Sequence, residues 1–389
     1  MSIKLMGNWS YPTAIRFGAG RIAELPAACE ALGMARPLLV TDPGLAGSPM
    51  ISAALTQNSD AGLPTGLFSE VRGNPVGANV EAGVAAYRAG GHDGVIAFGG
   101  GSPMDAAKGI ALMVGQDRPI WDFEDIGDNW TRAKADAIAP IVAVPTTAGT
   151  GSEVGRTGVI VNEATHTKVI VFHPRLLPGL VILDPELTIG LPAHVTAATG
   201  MDALAHNLEA FCAPTFHPMG EGIAVEGMRL VKEFLPRAVA DGADIEARGN
   251  MMAAASMGAV AFQKGLGAIH SLSHPLGAVY DTHHGLTNAV VMPYVLDFNR
   301  PAIEDKCARL ARWLDLPEPG FAGIRRWILD LRAELGIPHT LAEIGVDDRR
   351  IDEIAAMATA DPSAGTNPVP LDDAGHRAML EAALTGRLA

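Results

Sequence analysis

Two pairs of residues at helical spacing carry the side chains of this chain that are best suited to binding a metal ion. Asp202 and His206 are four residues apart in a helix-like stretch, so both side chains project from one face. His270 and His274 repeat this spacing in an otherwise apolar segment, and His284 follows after a short loop. An Asp-x-x-x-His pair alone is more often a surface pair, but burying several imidazoles without partners would be costly. A bound divalent cation explains these residues more simply than scattered hydrogen bonds do.

Nitrogen and oxygen ligands of this kind suit Fe²⁺ or Zn²⁺, and the residue types alone do not distinguish the two metals. The three cysteines, Cys29, Cys212 and Cys307, are widely separated and odd in number, so they predict neither a disulfide framework nor a cysteine-rich zinc module. The remaining histidines show no comparable clustering. We assign each of them to the surface or to a structural hydrogen bond: His92, His166, His173, His194, His217, His339 and His376.

A glycine-rich segment at residues 99–105 follows a strand-like run and opens a predicted helix. We expect Ser102 to be the N-cap, Pro103 the first helical residue and Asp105 part of the first turn. Glycines at such a turn let backbone N–H groups approach a phosphate, which the positive end of the helix dipole favours. The spacing is neither the Rossmann G-x-G-x-x-G nor a P-loop, so a simple chain reversal is the alternative.

A second polar loop at residues 145–153 supplies hydroxyl groups and flexible backbone after another strand-like run. Two such loops at consecutive strand ends of one sheet favour a dinucleotide phosphate site. Asp42 ends an earlier strand, where its carboxylate could bind a ribose and repel a 2′-phosphate, which would favour NAD over NADP. The alternative for Asp42 is an ordinary turn or helix-start aspartate.

The first half of the chain alternates strand-like and helix-like segments, which predicts an α/β domain with a parallel sheet. Apolar runs without polar alternation suit strands buried on both faces. These runs lie at residues 37–41, 94–98, 141–144 and 180–183, and the helix candidates lie at 21–32, 77–89 and 103–114. Two further runs, 157–162 and 167–172, predict a hairpin appended to this sheet, with residues 163–166 as its connection.

The second half is dominated by Ala, Met and Leu at helical spacing, so we predict an all-helical domain. Its clearest helices lie at residues 194–212, 219–234 and 247–262. We place the boundary near residue 190, giving an α/β dinucleotide-binding domain at 1–190 and an all-helical metal-binding and catalytic domain at 191–389.

The composition excludes several classes of protein. The 389 residues include 43 acidic and 29 basic side chains, and the net charge of −14 argues against nucleic acid as a partner. Hydrophobic residues make up 48% and charged residues 19%, as expected for a globular chain. The first residues lack the apolar core of a signal peptide, and no run approaches the roughly 18 apolar residues of a membrane span. We therefore expect a soluble, cytoplasmic protein.

Taken together, these segments resemble the iron-containing (group III) alcohol dehydrogenases, whose fold is related to dehydroquinate synthase and glycerol dehydrogenase. The resemblance covers nearly the whole chain. Its most specific stretches are residues 99–105, 145–153, 184–188, 196–206 and 270–285.

The resemblance implies roles for individual residues. Four residues match the ligands of one divalent metal, Fe²⁺ rather than Zn²⁺: Asp202, His206, His270 and His284. His274 matches a histidine beside the metal and is the candidate catalytic residue, with a structural role as the alternative. Gly100, Gly101 and Ser102 match the pyrophosphate loop. The other positions implied to bind the cofactor are Asp42, Asn74, Asp105, Thr146, Thr147, Thr150 and Lys168.

Some positions depart from the family pattern. His283 stands where many members have proline, and we choose His284 as the ligand because it forms the matching His-Gly pair with Gly285. Ser363 and Val369 occupy positions that often carry Cys and Arg, so we expect a different substrate pocket.

The implied function is reversible oxidation of an alcohol to an aldehyde or ketone by hydride transfer to NAD⁺. The metal would act as a Lewis acid that lowers the pKa of the alcohol. We expect a small alcohol or aldehyde as substrate, no nucleic-acid or membrane partner, and a homo-oligomer, dimer or higher. Two alternatives stay open: a non-redox NAD- and metal-dependent enzyme on the dehydroquinate synthase-like scaffold, and a structural or regulatory protein that keeps the nucleotide fold.

Overall fold

The computed structural model describes residues 11–165 and 167–389. Two compact units are present, one made of residues 11–147 and 151–190, the other containing residues 148–150 and 191–389. The domain limits 1–190 and 191–389 stay a prediction, because residues 1–10 lie outside the described part of the chain. The assignment made for His166 also falls outside it.

The first unit is built on a parallel sheet. Its described residues form eight strands: β1 (Ala14–Phe17), β2 (Pro37–Val40), β3 (Gly66–Phe68), β4 (Gly94–Gly99), β5 (Ile141–Pro145), β6 (Thr157–Asn162), β7 (Thr167–Phe172) and β8 (Leu180–Leu183). Six of them pair in the order β1-β8-β5-β4-β2-β3, and every pairing is parallel. This confirms the predicted α/β class with a parallel sheet.

Burial explains which strands could be predicted. Strands β2, β4, β5 and β8 are buried at every position, which is why they appear in the sequence as continuous apolar runs. Strands β1 and β3 were not predicted. They are the two edge strands. Arg16 interrupts β1, most of whose positions are exposed, and β3 has only three residues, too few to be recognised as an apolar run.

Five α-helices accompany the sheet: α1 (Leu25–Ala31), α2 (Pro43–Ala46), α3 (Pro49–Asp60), α4 (Gly77–Gly90) and α5 (Gly101–Met113). The predictions of Ser102 as the N-cap of α5, Pro103 as its first residue and Asp105 as part of its first turn are wrong. Gly100 is the N-cap, and Ser102 lies in the first turn. The helix begins earlier than predicted because the chain already turns at Gly99, which adopts φ +144°. A Cβ at Gly99 would also lie 2.8 Å from Cγ of Pro103.

The predicted hairpin of β6 and β7 forms with antiparallel register, but it is a sheet of its own and does not extend the parallel sheet. Helix α5 holds it in place. The Asp105 carboxylate accepts a hydrogen bond from the backbone N–H of Val159 at 3.2 Å, and the buried Lys108 ammonium donates to the carbonyl of Thr157 at 2.8 Å. Side chains of α5 therefore provide hydrogen-bond partners for backbone groups of the hairpin, which does not pair with the parallel sheet.

The second unit is helical, as predicted. Residues 191–389, all described, contain no strand. The helices are α6 (Ala193–Cys212), α7 (Pro218–Ala240), α8 (Ile245–Ala261), α9 (Ala268–Tyr280), α10 (His284–Trp313), α11 (Gly320–Glu334), α12 (Ile351–Ala360) and α13 (Asp373–Thr385). Helix α6 is buried along nearly its whole length and packs against α7, α8 and α10. Among the described residues, no helix is both long and apolar enough to span a bilayer.

Candidate metal centre and cofactor loops

Helix α6 presents a carboxylate and an imidazole on one buried face. Asp202 and His206 follow each other by one helical turn and are 2% and 5% exposed. Helix α9 adds His270, which is 1% exposed. One potential ligand atom from each of these three residues lies within 4.8 Å of the other two. The His206 and His270 rings stack, with centroids 4.6 Å apart.

The Asp202 carboxylate is the centre of this cluster. Its Oδ1 lies 4.0 Å from Nε2 of His206, 3.9 Å from Nε2 of His270 and 3.7 Å from Nε2 of His284. The structure therefore brings all four predicted ligands together. The neighbouring His283 instead is the N-cap of α10, where its Nδ1 accepts a hydrogen bond from the N–H of Leu286.

The surroundings shift the pKa values of two of these histidines in opposite directions. Burial lowers the pKa of His206 to about 4, so its imidazole is neutral and offers a lone pair at neutral pH. Burial also opposes the charge of His270, but the hydrogen bond to Glu209 and the nearby carboxylates outweigh it and raise its pKa. One carboxylate and three imidazoles with their Nε2 atoms around one oxygen fit a single divalent cation of the Fe²⁺ or Zn²⁺ type.

Sequence reasoning missed two buried residues that contact the ligands. The Glu209 carboxylate lies 2.7 Å from Nδ1 of His270, and the Asn288 amide donates to Oδ1 of Asp202 at 2.7 Å. Both had a signal in the sequence: Glu209 follows His206 by three residues, and Asn288 follows His284 by four. Each therefore shares a helix face with a ligand.

His274 lies beside the cluster with a carboxylate partner of its own. Its Nδ1 is 2.8 Å from Oδ2 of Asp361, and its ring is parallel to that of His284 at a centroid distance of 5.4 Å. Asp361 also accepts a hydrogen bond from the backbone N–H of Ser363. Burial would raise the pKa of Asp361, but His274 and Ser363 outweigh it, so the pKa is lowered and the carboxylate is charged.

The predicted phosphate loops begin side by side in the first unit, where strands β4 and β5 end. Strands β4 and β5 pair, and the N–H of Thr146 donates to the carbonyl of Gly99 at 3.0 Å. A Cβ on Gly100 would lie 3.2 Å from Cγ2 of Thr147, a tight contact, so the two loops approach each other closely at this glycine. The N-cap of α5 is Gly100, so no N-cap side chain covers the start of this helix. This cradle, with Gly101 as the first helical residue, fits a pyrophosphate.

Other predicted cofactor residues have structural contacts. Asp42 is the N-cap of α2, where its Oδ1 accepts from the N–H groups of Gly44 and Leu45. Asp105 accepts from Ser152 Oγ at 2.8 Å in addition to the hairpin contact, and burial raises its pKa. Of the remaining three, Asn74 has φ +51°, Lys168 lies in β7 and opposes the rise in the pKa of Asp105, and Thr150 belongs to the second unit.

The histidines assigned to structural roles have ordinary hydrogen bonds where the structure describes them. His173 and His217 cap helical turns, and His376 is buried against Ser271 and Thr359. His92 contacts a backbone carbonyl, His339 approaches the Gly386 carbonyl, and His194 is exposed.

Comparisons with known proteins agree with this architecture. The family model described as iron-containing alcohol dehydrogenase matches residues 12–185, and the C-terminal model of the Fe-containing alcohol dehydrogenase family matches residues 196–384. The 4-hydroxybutyrate dehydrogenase of Cupriavidus necator is 43% identical over 95% of this chain and 98% of its own length. The NAD-dependent methanol dehydrogenase of Bacillus methanolicus is 36% identical over 93% of this chain and 96% of its own length. A crystal structure of a 1,3-propanediol oxidoreductase superposes with a TM-score of 0.92, at 34% identity, over 97% of this chain and 100% of that one.

An α/β unit with phosphate-type loops, followed by a helical unit with a buried carboxylate–imidazole cluster, defines a class of metal-dependent dehydrogenases. The chain belongs to the iron-containing alcohol dehydrogenase family. It is an oxidoreductase that interconverts alcohols and carbonyl compounds, and the non-redox alternative finds no support among these relatives.

Proposed function

We propose that this enzyme oxidises short primary alcohols to aldehydes with NAD⁺, reversibly, at a single divalent metal held by Asp202, His206, His270 and His284. The observation that carries the proposal is the position of Asp202 Oδ1 within 4.0 Å of the Nε2 atoms of all three histidines. When bound, the ion supplies Lewis-acid chemistry that lowers the pKa of the alcohol.

His274 is the residue we assign to proton transfer. Its Nδ1 faces a charged Asp361 carboxylate, which fixes the proton on Nδ1 and leaves Nε2 as an acceptor. Nε2 can then take the hydroxyl proton of the substrate and pass it to solvent, since the His274 side chain is 13% exposed. Asp361 orients the ring through this contact.

NAD is the proposed hydride acceptor. Gly100, Gly101 and Ser102 would receive its pyrophosphate at the start of α5, and Asp42 would face the ribose. The remaining positions we propose to line the cofactor site are Asn74, Asp105, Thr146, Thr147, Thr150 and Lys168. Support comes from the paired loops after β4 and β5 and from the NAD dependence in the name of the Bacillus methanolicus relative.

The substrate class is inferred from relatives that act on short alcohols with or without a second polar group. The first compounds to test are 4-hydroxybutyrate, 1,3-propanediol and methanol, after the names of those relatives. The decisive assay follows NADH absorbance across this panel under anaerobic conditions, with Fe²⁺ and Zn²⁺ supplied in separate reactions. A stoichiometric rise of NADH with one alcohol supports the proposal, and its absence with every alcohol and both metals would contradict it.

We further propose a cytoplasmic homo-oligomer, a dimer or larger, that binds no nucleic acid. The buried free thiols of Cys29, Cys212 and Cys307 suit a reducing compartment. The edge strand β1 exposes Ile15 and Phe17, which suits a contact with a second copy. Light scattering of the purified chain tests the oligomeric state; a monomer at micromolar concentration would contradict it.

A further inference from the structure

The helix that carries His270 and His274 is capped by side chains from elsewhere in its unit. The N-cap of α9 is Gly267, which has no side chain to offer. The N–H of Ala268 instead donates to Oδ1 of Asn367 at 3.0 Å, and the N–H of Ile269 donates to Oε1 of Glu209 at 2.6 Å. A Cβ on Gly267 would lie 2.8 Å from the Asn367 oxygen and 3.0 Å from the Glu209 oxygen, so glycine lets both groups reach the helix.

The second oxygen of Glu209 reaches the metal cluster. Its Oε2 lies 2.7 Å from Nδ1 of His270, and Nε2 of the same ring is 3.9 Å from Oδ1 of Asp202. Glu209 is 6% exposed, so water competes little for either contact. Because the N–H of Ile269 holds Oε1, the carboxylate cannot turn away from His270 without losing a buried hydrogen bond.

We propose that Glu209 is a positioning residue that keeps the proton of His270 on Nδ1 and so presents the Nε2 lone pair for metal binding. A histidine ligand needs a lone pair on the coordinating nitrogen, and a carboxylate that accepts from the other nitrogen fixes both tautomer and ring orientation. This inference rests on the proposed metal site. It adds a residue that lies one helical turn beyond His206 on the same face of α6.

Glu209→Gln distinguishes this role from simple helix capping. The N–H of Ile269 can only donate, so the glutamine must keep its oxygen there and turn its NH₂ group toward His270. Nδ1 of His270 must then accept, which moves the ring proton to Nε2 and blocks metal binding. The opposite amide orientation would set its NH₂ group against the N–H of Ile269, donor against donor, and is therefore disfavoured.

The control is Asn367→Ala, which removes the other cap of the same helix end without touching the His270 ring. Both variants and the parent are prepared as full-length chains, stripped of metal and titrated with Co²⁺ against a chromophoric chelator. Unfolding of the metal-free proteins is measured in parallel. We expect Glu209→Gln to lose about 10–100-fold in Co²⁺ affinity, as for other partners of metal ligands, with little change in metal-free stability. Asn367→Ala should show the reverse pattern, with lower stability and a much smaller loss of affinity.

Three outcomes would overturn the inference. If Glu209→Gln binds Co²⁺ as tightly as the parent, or loses no more Co²⁺ affinity than Asn367→Ala does, Glu209 serves only as a cap of α9. Absence of Co²⁺ binding in the parent would refute the proposed metal site itself. If Glu209→Gln does not fold, the parent loaded with Zn²⁺ provides the test: a slowly exchanging, downfield Nδ1 proton of His270 supports the inference, and a spectrum without it contradicts it.

Discussion

The Nδ1 atom of His274 lies 2.8 Å from Oδ2 of Asp361, although the two residues are 87 positions apart in the chain. The same carboxylate uses its other oxygen to accept from the N–H of Ser363 at 2.8 Å. Asp361 is thus anchored on one side and orients an imidazole on the other.

Asp361→Asn should impair proton transfer and leave the metal in place. In this variant the N–H of Ser363 still donates to the amide oxygen, so the NH₂ group faces Nδ1 of His274. Nδ1 must then accept a hydrogen bond, which places the ring proton on Nε2. We expect kcat to fall by about 10²–10⁴-fold, the range of general acid–base contributions, with little change in metal content. Asp372→Asn, the same change at the exposed cap of α13, is the control and should have kcat close to the parent. Equal kcat values for the two variants would remove the proposed role of His274.

His270→Ala should release the metal. The substitution deletes one of four proposed ligands, and His270 is itself almost fully buried, so water cannot readily take its place. We expect metal content per chain and turnover to fall together, measured by elemental analysis and NADH formation on the same sample. His194→Ala, at an exposed position in the first turn of α6, provides the matched control. Full retention of metal by His270→Ala would end its assignment as a ligand.

Asp42→Gly should shift the cofactor preference toward NADP. Glycine is tolerated at an N-cap at a cost of only a few tenths of a kcal/mol, so α2 should still form. Removing the carboxylate removes its repulsion of a 2′-phosphate. The ratio of kcat/KM for NADP to that for NAD should rise. A ratio equal to that of the parent would place Asp42 away from the ribose and leave it as a helix cap alone.

Lys108→Met should destabilise the first unit. The Lys108 ammonium is 1% exposed and donates to the carbonyls of Ser152 and Thr157 at 2.6 and 2.8 Å. Each buried carbonyl left without a donor costs about 1–3 kcal/mol, so we expect a loss of about 3 kcal/mol in the free energy of unfolding. Lys134→Met breaks an exposed ion pair with Asp117 and should cost less than about 1 kcal/mol.

The stability difference between the parent and Lys108→Met should also depend on pH. Burial lowers the pKa of Lys108 from 10.5 to about 8. Between these values the unfolded chain binds a proton that the folded chain has released, so this group makes the parent more stable as pH rises. The difference in denaturant midpoints should therefore widen between pH 8 and pH 10. A difference that stays constant or narrows over this interval would contradict the expected titration of Lys108.

Local spacing explains what the sequence could predict. Helical periodicity marks Asp202 with His206, and His270 with His274, as candidate pairs, whereas the choice of ligands among them came from the family resemblance. The buried strands appear as apolar runs. Glu209 and Asp361 were missed because their partners lie 61 and 87 residues away, and only the packing of helices brings them together. The N-cap of α5 was placed wrongly because the turn at Gly99 depends on a backbone angle that residue types do not encode.

The four proposed ligands are unevenly buried. Helix α6 is enclosed by α7, α8 and α10, so its amides should exchange with solvent only when the helical unit opens globally. Asp202 and His206 are therefore in position before any ion arrives. The His284 side chain, at the start of α10, is 25% exposed, compared with 2% for His270. Asp202, His206 and His270 would therefore hold a divalent cation on its buried side, and exchange of that cation with solvent would depend most on His284.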